Sequence, residues 1–377
     1  MHSSISMVVA ALAVYGIQTY SLSTALAEEA PALAAIKDPS EKARIKSLVD
    51  SARKKGVLSW IGVQFDPPRA APIIAEFKRY YGLDNLRVDY TYAGTAEIVS
   101  RIEQNLRDKN NSIDIVWTSS WAWYKDLLKR GEIMKYESPY YKDYTLSDKN
   151  GMSEPGYWVS DAYTFVPLYK PSTMEQRGIK DFRPTTWAEF VDPRLAGQTS
   201  MIDVLVSTAA APVLAGVVKA LGDDWLKKLG SNNPSLHTRG LTGREMVGSG
   251  EIAVTLFSTP ADALTLLERK IEVKQVLPRE GVVLIPFTPI ILSNAPHPSA
   301  AKLFIDFVRS PHGTQVGMAD TGALLFFGRP GVKPKYPDLL PPTEEVRVIP
   351  FDWGTEGADE AIKRFREKAL AAGIGTK

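Results

Sequence analysis

The chain has 377 residues, 44% hydrophobic and 23% charged, with 45 lysines and arginines against 43 aspartates and glutamates for a net charge of +2. That balance belongs to a folded protein with room for about two domains and excludes a largely disordered chain. It supplies no general field to gather polyanions, so nucleic acid is not expected as a partner.

Residues 5–17 are mostly apolar, and a Ser/Thr-rich stretch then leads to Ala25-Leu26-Ala27. That is the order of a secretory signal with a small-residue cleavage site, so residues 1–27 are expected to be a signal peptide and the mature chain to work in the periplasm. The first basic side chain is Lys37, which leaves the terminal amine alone to charge the start; an apolar anchor or a misplaced start codon is the competing reading. Cysteine is absent, and with it disulfides, thiolate metal sites and the lipid anchor of a bacterial lipoprotein. Elsewhere no apolar run approaches the ~20 residues that span a bilayer. The best candidate, 282–292, is broken by Pro286 and Pro289.

From Gly56 onward short apolar runs alternate with longer amphipathic ones, the pattern of an α/β fold with parallel sheets. Residues 57–62 read as a strand, and 72–80 place Ile73, Ile74 and Phe77 at helical spacing. A second strand at 87–93 alternates Val88, Tyr90 and Tyr92; a helix at 95–109 aligns Ile98, Ile102 and Leu106; a third strand at 113–117 leads to a helix at 121–129. A strand-like run at 162–169 connects to a second series: strand 199–206, helix 208–221, strand 253–258, helix 260–269. The proline-dotted run 282–292 suits a strand crossing between lobes. A helix at 299–309, a proline-rich stretch and a charged helix near 359–371 close the chain.

Several local phrases resemble the type II periplasmic substrate-binding proteins of ABC importers. They are Lys54-Lys55-Gly56-Val57-Leu58, the run from Gly94-Thr95 to Arg101-Ile102, Ile113-Asp114-Ile115-Val116-Trp117, and Leu127 to Ile133 running into Ser138-Pro139. The most specific are Trp187-Ala188-Glu189-Phe190-Val191-Asp192-Pro193-Arg194-Leu195-Ala196-Gly197 and His297-Pro298-Ser299-Ala300-Ala301-Lys302-Leu303-Phe304-Ile305-Asp306-Phe307. The resemblance implies two doubly wound α/β lobes joined by hinge strands, lobe 1 from 28–163 plus 289–335 and lobe 2 from 164–288 plus 336–377, flexing near 162–166 and 287–290. It further implies a soluble, monomeric receptor without cofactor, handing a small molecule to an inner-membrane ABC permease.

In such sheets ligands collect beyond the carboxyl ends of the strands, where helix N-termini offer unpaired N–H groups and about half a positive charge. The turns there carry hydroxyls: Gly94-Thr95, Ser119-Ser120, Ser207-Thr208 and Ser258-Thr259. With Gln64, Phe65, Trp121 and Tyr163 they form the expected ligand set, suited to a small organic anion, with a planar aromatic body as a further option. Ser and Thr are also preferred N-caps whether or not a ligand exists. Strand-end aromatics (Trp60, Phe65, Trp117, Trp123 and Phe257) have core packing as their alternative role, and Arg69 either pairs a ligand carboxylate or is solvated.

Iron-binding members carry adjacent tyrosines after the strand that here ends Phe257-Ser258-Thr259; Tyr80-Tyr81 and Tyr140-Tyr141 lie elsewhere in the pattern. No metal site is therefore expected, and a ferric-iron or polyamine receptor remains the alternative within the class. Catalysis is not expected either. The Gly248, Gly250, Ala253 pattern precedes a strand instead of following one, and no phosphate-loop, zincin or nucleophile-elbow motif occurs. His297 opens a helix, and Asp223-Asp224 and Glu344-Glu345 are adjacent acids suited to solvent. A periplasmic hydrolase is the alternative outside the class.

Overall fold

A computed structural model describes residues 29–353 and 358–375; the expected signal peptide lies outside them. A short helix α1 (Pro31–Ala35) precedes α2 (Pro39–Lys55), two helices outside the expected elements. Asp38 starts α2 by accepting the Ser40 and Glu41 N–H groups, and Gly56 ends it in the left-handed region. Then come β1 (Val57–Gly62) and α3 (Pro67–Tyr81). α3 starts at Pro67, earlier than its apolar stripe, because Asp66 caps it and the prolines fill a first turn that needs no N–H. β2 (Arg87–Tyr92), α4 (Thr95–Arg107), β3 (Ile115–Thr118) and α5 (Trp121–Lys129) complete three βα units, with β2 and β3 parallel to β1 on either side.

After α6 (Thr145–Lys149), the strand expected at 162–169 divides into β4 (Asp161–Tyr163) and β5 (Val166–Tyr169), which join different sheets. Thr164 and Phe165 carry the chain across. The second series is α7 (Pro171–Gln176), β6 (Thr199–Ile202), α8 (Ala210–Leu221), α9 (Asp223–Ser231), β7 (Ser235–His237), α10 (Gly240–Ser249), β8 (Val254–Ser258), α11 (Pro260–Glu268) and β9 (Lys274–Gln275). β6 stops at Ile202, short of the expected 206, because the Asp203 carboxylate accepts the Leu205 N–H at 2.8 Å and turns the chain. The adjacent acids Asp223 and Asp224 fall in the first turn of α9, where they complement the helix dipole.

The chain returns through β10 (Ile285–Ile291), then α12 (Pro298–Arg309) and finally α13 (Ala358–Ala371). The first sheet has the order β2-β1-β3-β10-β4 and the second β7-β6-β8-β5-β9. β10 is antiparallel to both neighbours, Thr288 opposite Thr118 and Ile285 opposite Tyr163. Residues 287–290, expected to flex between lobes, are thus held by strands on both sides inside the first sheet, and the return crossing is the stretch between β9 and β10. The Thr164 hydroxyl donates to the Val283 carbonyl at 2.8 Å and ties the two crossings together. Later, Phe326 pairs with Ala162 and Val348 with Val282, so the chain after α12 follows β4 and the return crossing before α13 settles on α8.

The family-like phrase at 113–117 has a physical role. Fully buried Asp114 accepts the Ser59 N–H at 2.7 Å and the His297 N–H at 2.6 Å, with the His297 ring at 3.0 Å. It locks β1 to the start of α12, and His297 is occupied there.

Candidate ligand-binding site

Because β2, β1 and β3 are parallel neighbours, their carboxyl ends lie along one edge. The first-lobe residues of the expected set stand at that edge or beside it. Gly94 is exposed as the N-cap of α4, with nothing within 4 Å of the position a Cβ would take. Thr95 Oγ1 lies 3.4 Å from Thr118 Oγ1, and Ser119 Oγ lies 3.1 Å from the Tyr163 hydroxyl. These pairings bring β2, β3 and the first crossing together. Burial pushes the Tyr163 phenol up to about 12 against the pull of its Ser119 hydrogen bond, so it keeps its proton at neutral pH.

No side chain caps α4 or α5. The Trp121 N–H donates to the Ser119 carbonyl at 3.0 Å; the other first-turn N–H groups of the two helices have no side-chain partner among the described residues. Trp121, first residue of α5, is only 5% exposed; its ring meets Trp158 edge-on at 5.5 Å, and its indole N–H has no partner among the described residues. Gln64 is half-buried. Phe65 lies in the core, 5.2 Å from Trp117 and 5.8 Å from Phe287, and its carbonyl accepts the Tyr90 hydroxyl.

The second lobe spends its hydroxyls differently. Ser207 Oγ accepts the Ala210 N–H at 3.0 Å and starts α8, while Thr208 is exposed. The Thr259 hydroxyl and N–H both donate to Asp262, at 2.8 and 2.9 Å, so an internal carboxylate occupies the N-terminus of α11. Buried Ser258 lies 3.5 Å from the same carboxylate, and Arg244 meets it at 3.5 Å from the other side. Arg69 donates to Asp66 and, across the lobes, to Thr265 of α11, both at 3.3 Å. It is neither a free carboxylate binder nor a solvated side chain here.

An aromatic series runs through the crossing: Trp117 on Phe287 at 5.3 Å, Phe287 to Tyr163 at 6.3 Å, Tyr163 to Phe165 at 5.7 Å and Phe165 on Phe257 at 5.8 Å. Spacing did not reveal Arg366, which reaches back from α13 to donate to the Val204 carbonyl at 3.0 Å and the Ser207 carbonyl at 3.3 Å. No local signal could have, since those partners lie a lobe's length away in sequence. Among the described residues no three His, Asp or Glu side chains converge as metal ligands.

The profile of the bacterial extracellular solute-binding protein family matches residues 68–319, more than half of the chain, and the protein belongs to that family. Comparison with curated protein sequences returns no significant match. Among solved structures the chain is similar to the periplasmic binding protein AfuA from Actinobacillus pleuropneumoniae, with fructose-6-phosphate bound, at 19% identity and a TM-score of 0.68 over 84% of this chain and 98% of that one. It is also similar to the substrate-binding protein of an ABC transporter from Agrobacterium tumefaciens, at 16% identity and TM-score 0.66 over 90% and 97%. Iron-bound HitA from Pseudomonas aeruginosa matches at 22% identity and TM-score 0.60 over 83% and 99%. The fold is that of a type II periplasmic binding protein, two sheets in a mixed α/β chain.

Proposed function

We propose that the protein is exported by its signal peptide, captures a small organic anion between its lobes in the periplasm, and hands it unaltered to an ABC permease in the inner membrane. The observation that carries this reading is the pair of uncapped helix N-termini, α4 and α5, side by side at the end of one sheet. Each offers backbone N–H groups and about half a positive charge, the arrangement that binds carboxylates and phosphates. Thr95, Ser119 and the protonated Tyr163 add hydroxyl donors, and the partnerless Trp121 N–H adds one more.

In this reading Gly94, Thr95, Ser119, Ser120, Trp121 and Tyr163 grip the anion, with Gln64 at the rim and the Phe65 ring supporting the wall. Thr208 approaches from the second lobe. Ser207, Ser258 and Thr259 shape that face through the helix starts they hold. Because β10 pairs within the first sheet, the lobe boundary moves from the expected 288/289 to 284/285: lobe 1 takes 29–163 with 285–335, and lobe 2 takes 164–284 with 336–353 and 358–375. Exposed Tyr92, at the end of β2, and exposed Val206, in the turn after β6 in the opposite lobe, lose water contact on closure. The fructose-6-phosphate in AfuA is an anion of the proposed class.

A melting-temperature screen of sugar phosphates, carboxylates, phosphonates, polyamines and ferric ion tests the reading. At a hundred times Kd a ligand adds about 2.7 kcal/mol, which for a chain of this size raises Tm by about 4 °C. Organic anions are expected to do so and to compact the protein in solution scattering. A screen in which no anion raises Tm, or in which the ligand is chemically converted, refutes it.

A further inference from the structure

A cavity of about 670 Å3 lies on the opposite side of the crossings from the cleft. Strand order places it there. The cleft stands at the ends of β2, β1 and β3; β10 and β4 come next, Phe326 pairs with Ala162 on β4, and the nearby Gly328 carbonyl accepts the Leu146 N–H at 3.0 Å. The α6 segment therefore lies past the far edge of the sheet. The cavity's walls come from that segment, from the return crossing, from the end of α8 in the second lobe, and from the stretch at 343–353.

Its floor is apolar, with Met152, Leu284 and Ile349 buried. Three cations ring it on three separate elements: Lys149 on α6, Lys219 on α8 and Arg347 beside the bridge to Val282. All three are exposed, and none forms an ion pair among the described residues. The two acids that also line it are engaged, Glu344 by the Gly331 N–H at 2.5 Å and Asp352 by a partner of its own.

We infer that this cavity is a second binding site, for a small amphiphilic anion whose apolar body lies on the floor and whose charge sits among Lys149, Lys219 and Arg347. Its volume falls within the roughly 300–1,000 Å3 of small-molecule sites. Lys149 and Lys219 belong to different lobes, so an anion between them relieves their repulsion and draws the rear walls together. With the crossings as pivot, that movement opens the cleft in front. Occupancy behind and capture in front oppose each other, and linkage makes the antagonism reciprocal. This coupling rests on the two-lobed receptor reading; the binding site itself does not.

The probe is 8-anilinonaphthalene-1-sulfonate, titrated into the mature protein by fluorescence and calorimetry. Saturable binding is expected, weakened at least tenfold by Lys219→Glu and by Arg347→Glu and unchanged by Lys227→Glu, an exposed lysine on α9. Binding that ignores both charge reversals, or that Lys227→Glu weakens equally, overturns the site. For the coupling, Arg107→Cys and Glu268→Cys supply the only thiols, and energy transfer between labels there reads the separation of the lobes. Saturating probe is expected to lengthen that separation, except when Lys219→Glu is added. Charge-dependent binding without lengthening overturns the coupling, whereas failure of the cleft reading shows separately, as a melting screen without any responding ligand.

Discussion

Replacing Asp161 with Asn tests the buried ion pair at the base of the first crossing. Asp161 opens β4 and is fully buried, as is its partner Arg309. Arg309 donates to Asp161 and, at 3.0 Å, to Thr288 Oγ1, and lies 5.0 Å over the Tyr144 ring; the other Asp161 oxygen accepts the Gly328 N–H at 3.0 Å. Burial opposes the charge on Arg309, but attraction to Asp161 and Tyr144 outweighs it and raises the guanidinium's pKa. Burial also pushes the Asp161 carboxyl up against the pull of Arg309. A guanidinium does not give up its proton in a protein, so a neutral partner would strand a cation in the core. Asn keeps an oxygen for Gly328 and removes only the charge. The expected cost is about 3–5 kcal/mol. Adding Arg309→Met removes the stranded cation and leaves lost hydrogen bonds worth about 1–2 kcal/mol, so the double variant should be the more stable of the two. Urea unfolding at pH 7, compared at constant m, measures both. A single variant within 1 kcal/mol of the parent, or a double variant no better than the single one, refutes the reasoning.

Trp121→Phe keeps an apolar ring and deletes the partnerless N–H; if that group serves the anion, Kd should rise about tenfold, and unchanged calorimetry removes Trp121 from the site. Burial lowers the His237 pKa, so the unfolded chain binds the proton more readily. Its stability contribution is whole above about pH 6.5 and is lost as pH falls below that value. Melting curves of parent and His237→Gln between pH 7 and 5 should converge toward acid, and parallel curves would exclude the effect. Arg366→Ala should raise amide exchange at 204–207 about tenfold while moving global stability by less than about 1.5 kcal/mol, since among the described residues it loses two part-buried hydrogen bonds. Exchange confined to the chain's end would show that α13 does not brace this loop.

Where neighbours in sequence decide the structure, the sequence was readable. β1 and α5 have the bounds their apolar spacing predicts, and α4 ends two residues early, at Arg107, because its polar tail has nothing to bury. α2 was legible in principle, since Asp38-Pro39 and Gly56 are ordinary start and stop signals. The division of 162–169 was not, because each half looks like any apolar strand until its partners, β10 for one and β8 for the other, are known.

The hydroxyl-bearing turns mark the same boundary. Sequence alone determined that Ser and Thr gather at strand-to-helix turns, for that follows from local capping chemistry and period-two strands. Only the tertiary structure decided which hydroxyls are spent on caps, as Ser207 and Thr259 are, and which helix ends stay open, as α4 and α5 do. The reason is geometric: a cap closes within three residues, whereas an open N-terminus becomes a shared site only when parallel pairing lays β2, β1 and β3 side by side.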